Sequence, residues 1–207
     1  MKLPPSSDPN RDPRGHWPHD FKPPPLGRPA RSLDDLMTSA ELYAETAMRQ
    51  HGRVPPTLFG LGAEGPFMVV PESMADHDAK DHFVNTARLI CVASDAHAVA
   101  LVVEAWARFA KPGESLDPHE PPSEAMDRRE VVMILGESRG AQKQKFLPII
   151  RTDAGGFFGF GPYDGPKFEK GTGRFAQILP PLKPKMTHRL LAKIALQAQG
   201  IILEGPR

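Results

Sequence analysis

The stretch HAVALVVEAWARFA, residues 97–110, decides the fold, because it fits both regular periods. Read as a strand, it lines one face with Val99, Leu101, Val103, Ala105, Ala107 and Phe109. Read as a helix, it carries Val99, Val102, Val103, Trp106 and Ala110 along one stripe. Periodicity alone does not arbitrate between them. The β-branched and aromatic content favours the strand, since such side chains pack well on a pleated surface. Ser94 and Asp95 then close a preceding helix; under the helical reading they would cap a new one.

Working downstream, residues 111–129 read as a loop, punctuated by Pro112, Pro118, Pro121 and Pro122. A hairpin follows: Glu130 to Gly136, the turn Glu137-Ser138-Arg139-Gly140, and Gln142 to Thr152. Pro148 has no N–H to give a ladder, so this second strand belongs at an edge or carries a bulge. A glycine-rich loop over 153–173 leads to a last strand near Arg174 to Leu179. After Pro180, Pro181 and Pro184, a C-terminal helix runs from about 186 to 199, capped by Thr187 or its neighbours. Its apolar stripe is Leu190, Leu191, Ile194 and Ala198.

Working upstream, a helix is expected from about Ala75 to Ala93 with Ser73 as N-cap. Phe83, Ala87, Ile90, Cys91 and Ser94 share one of its faces, which makes Cys91 a small core residue. Before it lies a short strand, Phe67 to Val70, entered from the glycines at 60, 62 and 65. A first helix opens on the capping box Thr38-x-x-Glu41. It carries Ala40, Tyr43, Ala44, Ala47, Met48 and His51 on one face and stops at Gly52 before Pro55-Pro56.

Residues 1–31 read as a disordered, proline-rich arm. Nine prolines stand there, among few apolar residues, so burial cannot offset the entropy of ordering. Trp17 and Phe21 are the exceptions. The remaining chain, 32–207, reads as a single α+β domain in the order α-β-α-β-β-β-β-α. The expected core is a mostly antiparallel sheet of about four to five strands, with helices packed on one face. The strings Glu104-Ala105-Trp106, Pro122-Ser123-Glu124 and Asp127-Arg128-Arg129-Glu130 resemble a group of uncharacterised bacterial and phage proteins. That resemblance implies an α+β fold and no particular chemistry.

Composition narrows the function classes. Among 207 residues there are 24 prolines, more than twice the usual share of about 5%. The net charge of +1 gives no global field to gather nucleic acid or an anionic membrane, though a local basic patch is compatible with it. A single cysteine allows neither an internal disulfide nor a multi-cysteine zinc site. No stretch approaches about 18 consecutive apolar residues, and the first residues hold no apolar signal core. A cytoplasmic location is expected. No dinucleotide or phosphate-cradling glycine motif is present, so no cofactor is indicated.

Three clusters could carry chemistry. Asp76, His77, Asp78, Asp81 and His82 pair imidazole with carboxylate one helical turn apart, which suits a divalent metal if Glu72, Asp95 or His97 completed the set. The plain alternative is an acidic, solvated helix start. Glu104 lies inside an apolar strand near the loop bearing Arg128 and Glu130. It is either an ion-paired anchor for that loop or a general acid/base beneath it. Phe157, Phe158 and Phe160 alternate with glycines beside Lys167 and Arg174. They could stack on single-stranded nucleic acid, or pack on the core. No convergent catalytic set emerges. The leading expectation is a non-enzymatic binding or accessory protein acting through a protein partner or a homo-oligomer. A small metal-dependent hydrolase using Asp76 to His82 is the first alternative, and a nucleic-acid binder through residues 155–163 the second.

Overall fold

The computed structural model describes residues 30–110, 116, 117, 119–165, 174–201 and 203. Nearly all of the proline-rich arm, with Trp17 and Phe21, lies outside these residues, as does Lys167. Ala30 is already buried in the core, so packing begins before the expected boundary at residue 32.

Helix α1 spans Leu33–His51, a turn longer at its start than the Thr38–Glu41 box suggests. Ser32 is the N-cap: its Oγ accepts the Asp35 N–H at 3.1 Å, and Asp34 and Asp35 sit where the helix dipole favours negative charge. Thr38 is interior, its hydroxyl donating back to the Asp34 carbonyl at 3.0 Å. The helix ends at Gly52, whose φ of 69° is the left-handed cap. Strands β1, Thr57–Gly62, and β2, Gly65–Val69, form a hairpin where one strand was expected. The extra strand was hidden because Gly60 and Gly62 suggest a loop. Gly60 instead sits opposite Phe67 in register, and the aromatic ring covers the space a Cβ would fill.

Helix α2, His77–Ala93, is capped by Asp76, whose Oδ1 accepts the Ala79 N–H at 2.8 Å. Ser73 Oγ instead accepts the Ala75 N–H at 3.2 Å, ahead of the helix. Residues 97–110 resolve as a strand: β3 is Ala98–Ala107. Strands β4, Arg129–Ser138, and β5, Ala141–Arg151, make the expected hairpin. Strand β6, Phe157–Phe160, arises inside the stretch read as a glycine-rich loop, and helix α3 is Met186–Ala198, preceded by Lys185 without a side-chain cap. The strands form one six-stranded sheet in the order β2-β1-β3-β4-β5-β6, every pair antiparallel. The α+β class and the antiparallel sheet are as expected, with one strand more than the upper expectation.

Two expectations are corrected. Residues 174–179 form no strand. Their backbone donors are taken by a carboxylate: Glu137 accepts the N–H groups of Gln177 and Leu179 at 2.6 and 2.9 Å, and Gln177 adopts a φ of 58°. The helices also do not share one face of the sheet. Along β3, Ala98, Ala100 and Val102 pack beneath α1 with Phe59, Val132 and Ile134, while Val99 and Leu101 pack beneath α2 with Leu58. A strand buried on both faces loses its polar alternation, and this is why residues 97–110 fitted two periods. Helix α3 lies outside α2, burying only Ala192 and Leu196 against Ile90 and Ala93.

Candidate functional site

Asp76, His77, Asp78, Asp81 and His82 all lie exposed at the start of α2. Asp76 is used as the cap. Arg174 draws two of the others together, reaching His77 Nδ1 at 2.7 Å and Asp81 at 2.9 Å. Asp95, a suggested further ligand, is turned elsewhere: it is 7% exposed and faces Arg139 at 2.9 Å, Lys183 at 3.5 Å and Arg189 at 4.0 Å. Among the described residues, no group of three or more His, Cys, Asp or Glu side chains is placed to hold a metal ion.

The residues around the 116–128 loop separate. Glu104 Oε2 accepts the Val54 N–H at 3.0 Å, tying the chain after α1 to β3. Arg128 lies over the Trp106 ring, 4.7 Å from its centroid, and donates to the Ser123 carbonyl. Arg151 grips Glu130 with two bonds of 2.6 and 2.7 Å. The loop itself is fastened by Arg108, a residue the sequence reading passed over, through Asp127 at 2.8 Å and Glu120 at 2.5 Å.

The glycine-phenylalanine segment does not follow strict strand alternation, because its register slips opposite Ile150 and Arg151. Phe157 and Phe160 turn inward to the α1 core, their rings 5.0 Å apart, and Arg49 sits over Phe157 at 5.7 Å. Phe158 alone points out, 69% exposed. Arg174, grouped with these aromatics in the sequence, is the partner of His77 and Asp81 instead.

A further feature lies on the neighbouring strand. β5 has eleven residues, but β6 pairs only with Ile149, Ile150 and Arg151. The Pro148 carbonyl accepts the Gly161 N–H at 2.8 Å, so the backbone polar groups of Pro148 point away from β4. Those groups alternate sides along a strand. The N–H and C=O of Gln142 and Gln144 therefore point the same way, past the end of β6. Pro148 occupies a position where a missing N–H removes nothing from the β4 ladder.

This edge opens on a cleft of about 770 Å³ between α1 and residues 161–163, with Thr38 on one wall and Tyr163 on the other. Tyr163 stacks on Phe146 with centroids 5.3 Å apart, and Phe109 meets both rings edge-on. Burial, with the nearby Asp164 charge, raises the Tyr163 hydroxyl above its ordinary pKa. Lys145 pairs with Glu41 at 2.7 Å and Lys143 with Asp34, so the lysines of the edge strand lean onto α1. Chemically the site offers paired backbone donors and acceptors beside an aromatic wall, on a charge-balanced floor. No family model matches the chain, and no curated protein or solved structure is significantly similar to it.

Proposed function

We propose that this protein is a non-enzymatic docking protein that takes an extended segment of a partner protein onto the edge of β5. The observation that carries the reading is the mismatch in strand length: β6 stops at Ile149, and Gln142 and Gln144 direct two donors and two acceptors into the cleft. Strand addition uses this pattern, main-chain bonds supplying affinity and alternate side-chain pockets supplying selectivity. Natural edges are usually blunted by charged side chains, lysine above all. Here Asp34 and Glu41 hold Lys143 and Lys145 against α1, which keeps the edge approachable. An incoming strand would place side chains beside Phe146 and Tyr163 on one face of the sheet.

A displayed peptide library selected on the immobilised protein tests this. Enriched peptides should alternate apolar and polar residues and protect the Gln142 and Gln144 amides from hydrogen exchange. Gln144→Pro removes an outward N–H and places a ring in the path of the peptide. It should weaken binding about tenfold or more, which is about 1.4 kcal/mol, and leave the β4 ladder intact. Gln142→Pro is the second variant and should act in the same way. Peptides that bind both variants as well as the parent, or a selection that enriches none, would refute the proposal.

A further inference from the structure

We infer that α3 is a surface contact for anionic lipid, laying its outer face on a membrane without crossing it. The helix is thirteen residues long, well short of the roughly 20 needed to span a bilayer. Its inner face is settled by Ala192 and Leu196 against α2. At about 100° per residue, the opposite face is Met186, Leu190, Leu191 and Ile194, and these are 73, 58, 63 and 53% exposed. Leu182, just before the helix, is 79% exposed and extends the patch. Four large apolar side chains on one solvent-facing arc are more than scattered surface hydrophobics.

Charge selects the occupant. From Arg174 to Leu203 the chain contains Arg174, Lys183, Lys185, Arg189 and Lys193, and no Asp or Glu. Acids from elsewhere compensate only in part. Asp81 takes Arg174 at 2.9 Å and Glu64 meets Lys193 at 3.8 Å, while the single carboxylate of Asp95 serves Arg139, Lys183 and Arg189 together. On the helical wheel Lys193 and His188 flank the apolar arc on its two sides. Apolar side chains between flanking cations are the arrangement of a helix lying in the headgroup region, where lipid phosphates answer the cations. A second copy of this chain fits less well, because a two-fold α3 contact would set the same cations against each other.

The test is co-sedimentation of the full chain with vesicles of phosphatidylcholine, with and without phosphatidylglycerol. Binding should require phosphatidylglycerol and fall as salt shortens the screening length from about 10 Å to about 3 Å. Ile194→Glu, at an exposed position, should fold normally and weaken binding about tenfold. Lys183→Glu with Lys185→Glu should do the same through charge alone. Peptide capture at the β5 edge, measured on Ile194→Glu, should be unchanged, which separates this inference from the strand-docking proposal. Vesicle binding unaffected by these variants, no binding at all, or a solution dimer that Ile194→Glu converts to monomer would each overturn it.

Discussion

Replacing Glu137 with glutamine should unfasten the segment that covers the α2 side of the core. The Glu137 side chain is 7% exposed and accepts backbone N–H groups from Gln177 at 2.6 Å and Leu179 at 2.9 Å. Those bonds hold Ile178 and Leu179 over Leu58, Val99 and Leu101, and they help stabilise the left-handed Gln177. A hydrogen bond to a charged group contributes about 1.5–3 kcal/mol, and a buried donor left unsatisfied costs about 1–3 kcal/mol. In Glu137→Gln the amide oxygen can keep one N–H, while its NH₂ faces the other. The net loss is one charge-assisted bond and one orphaned donor, or about 2.5–6 kcal/mol. Urea unfolding at neutral pH, followed by two spectroscopic probes to check two-state behaviour, measures this directly. Hydrogen exchange should show the Gln177 and Leu179 amides losing protection before the sheet does. A stability change under about 0.5 kcal/mol with both amides still protected would refute the claim that this carboxylate organises the segment.

Two further substitutions probe the core. Gly60→Ala should displace the Phe67 ring, which occupies the space of the added Cβ across the hairpin. Overpacking of this kind costs about 1–3 kcal/mol, and an unchanged thermal midpoint would argue against the register assigned here. The Cys91 thiol is pushed up to about 12, first by burial and then by the Glu137 charge, from an ordinary value of 9.0. The unfolded chain therefore releases this proton first, so stability is fully present below about pH 9 and falls by about 1.4 kcal/mol per unit toward pH 12. Urea midpoints from about pH 8 to about pH 11 should decline less steeply in Cys91→Ala, and equal slopes would exclude the thiol as the cause.

Much of the fold was legible where one face decides a pattern. Helix α1 shows its apolar stripe because its other side meets water, and the β4–β5 hairpin is announced by the Arg139-Gly140 turn. Legibility failed where a residue's role depends on something remote. Gly60 is a strand residue only because Phe67 lies across from it. Residues 174–179 are apolar enough for a strand, yet Glu137, forty residues earlier than Gln177, takes their donors. The placement of the helices was misjudged for a related reason. A continuous apolar run such as Val99 to Val103 means burial on both faces, and that demands a helix on each side.

The candidate surfaces show the same division more sharply. Pro148 marks β5 as an edge or bulged strand from sequence alone, because a missing N–H is tolerated only where no ladder needs it, and β5 pairs with β6 over only part of its length with a register shift at Ile150 and Arg151. How much of that edge remains open depends on the four-residue length of β6 and on ion pairs such as Lys143 with Asp34, 109 positions apart. For α3 the stripe Leu190, Leu191, Ile194 and Ala198 was visible in the sequence. The structure seats the helix by the narrower pair Ala192 and Leu196 and turns the larger stripe outward. A helix apolar on two sides carries no sequence mark for which side meets its own domain. Ala192 permits close approach to α2 and Leu196 fills the contact, while Leu190, Leu191 and Ile194 face outward beside the cations. The chain's near-neutral net charge conceals that local excess, since the acids balancing it are spread over other parts of the sequence.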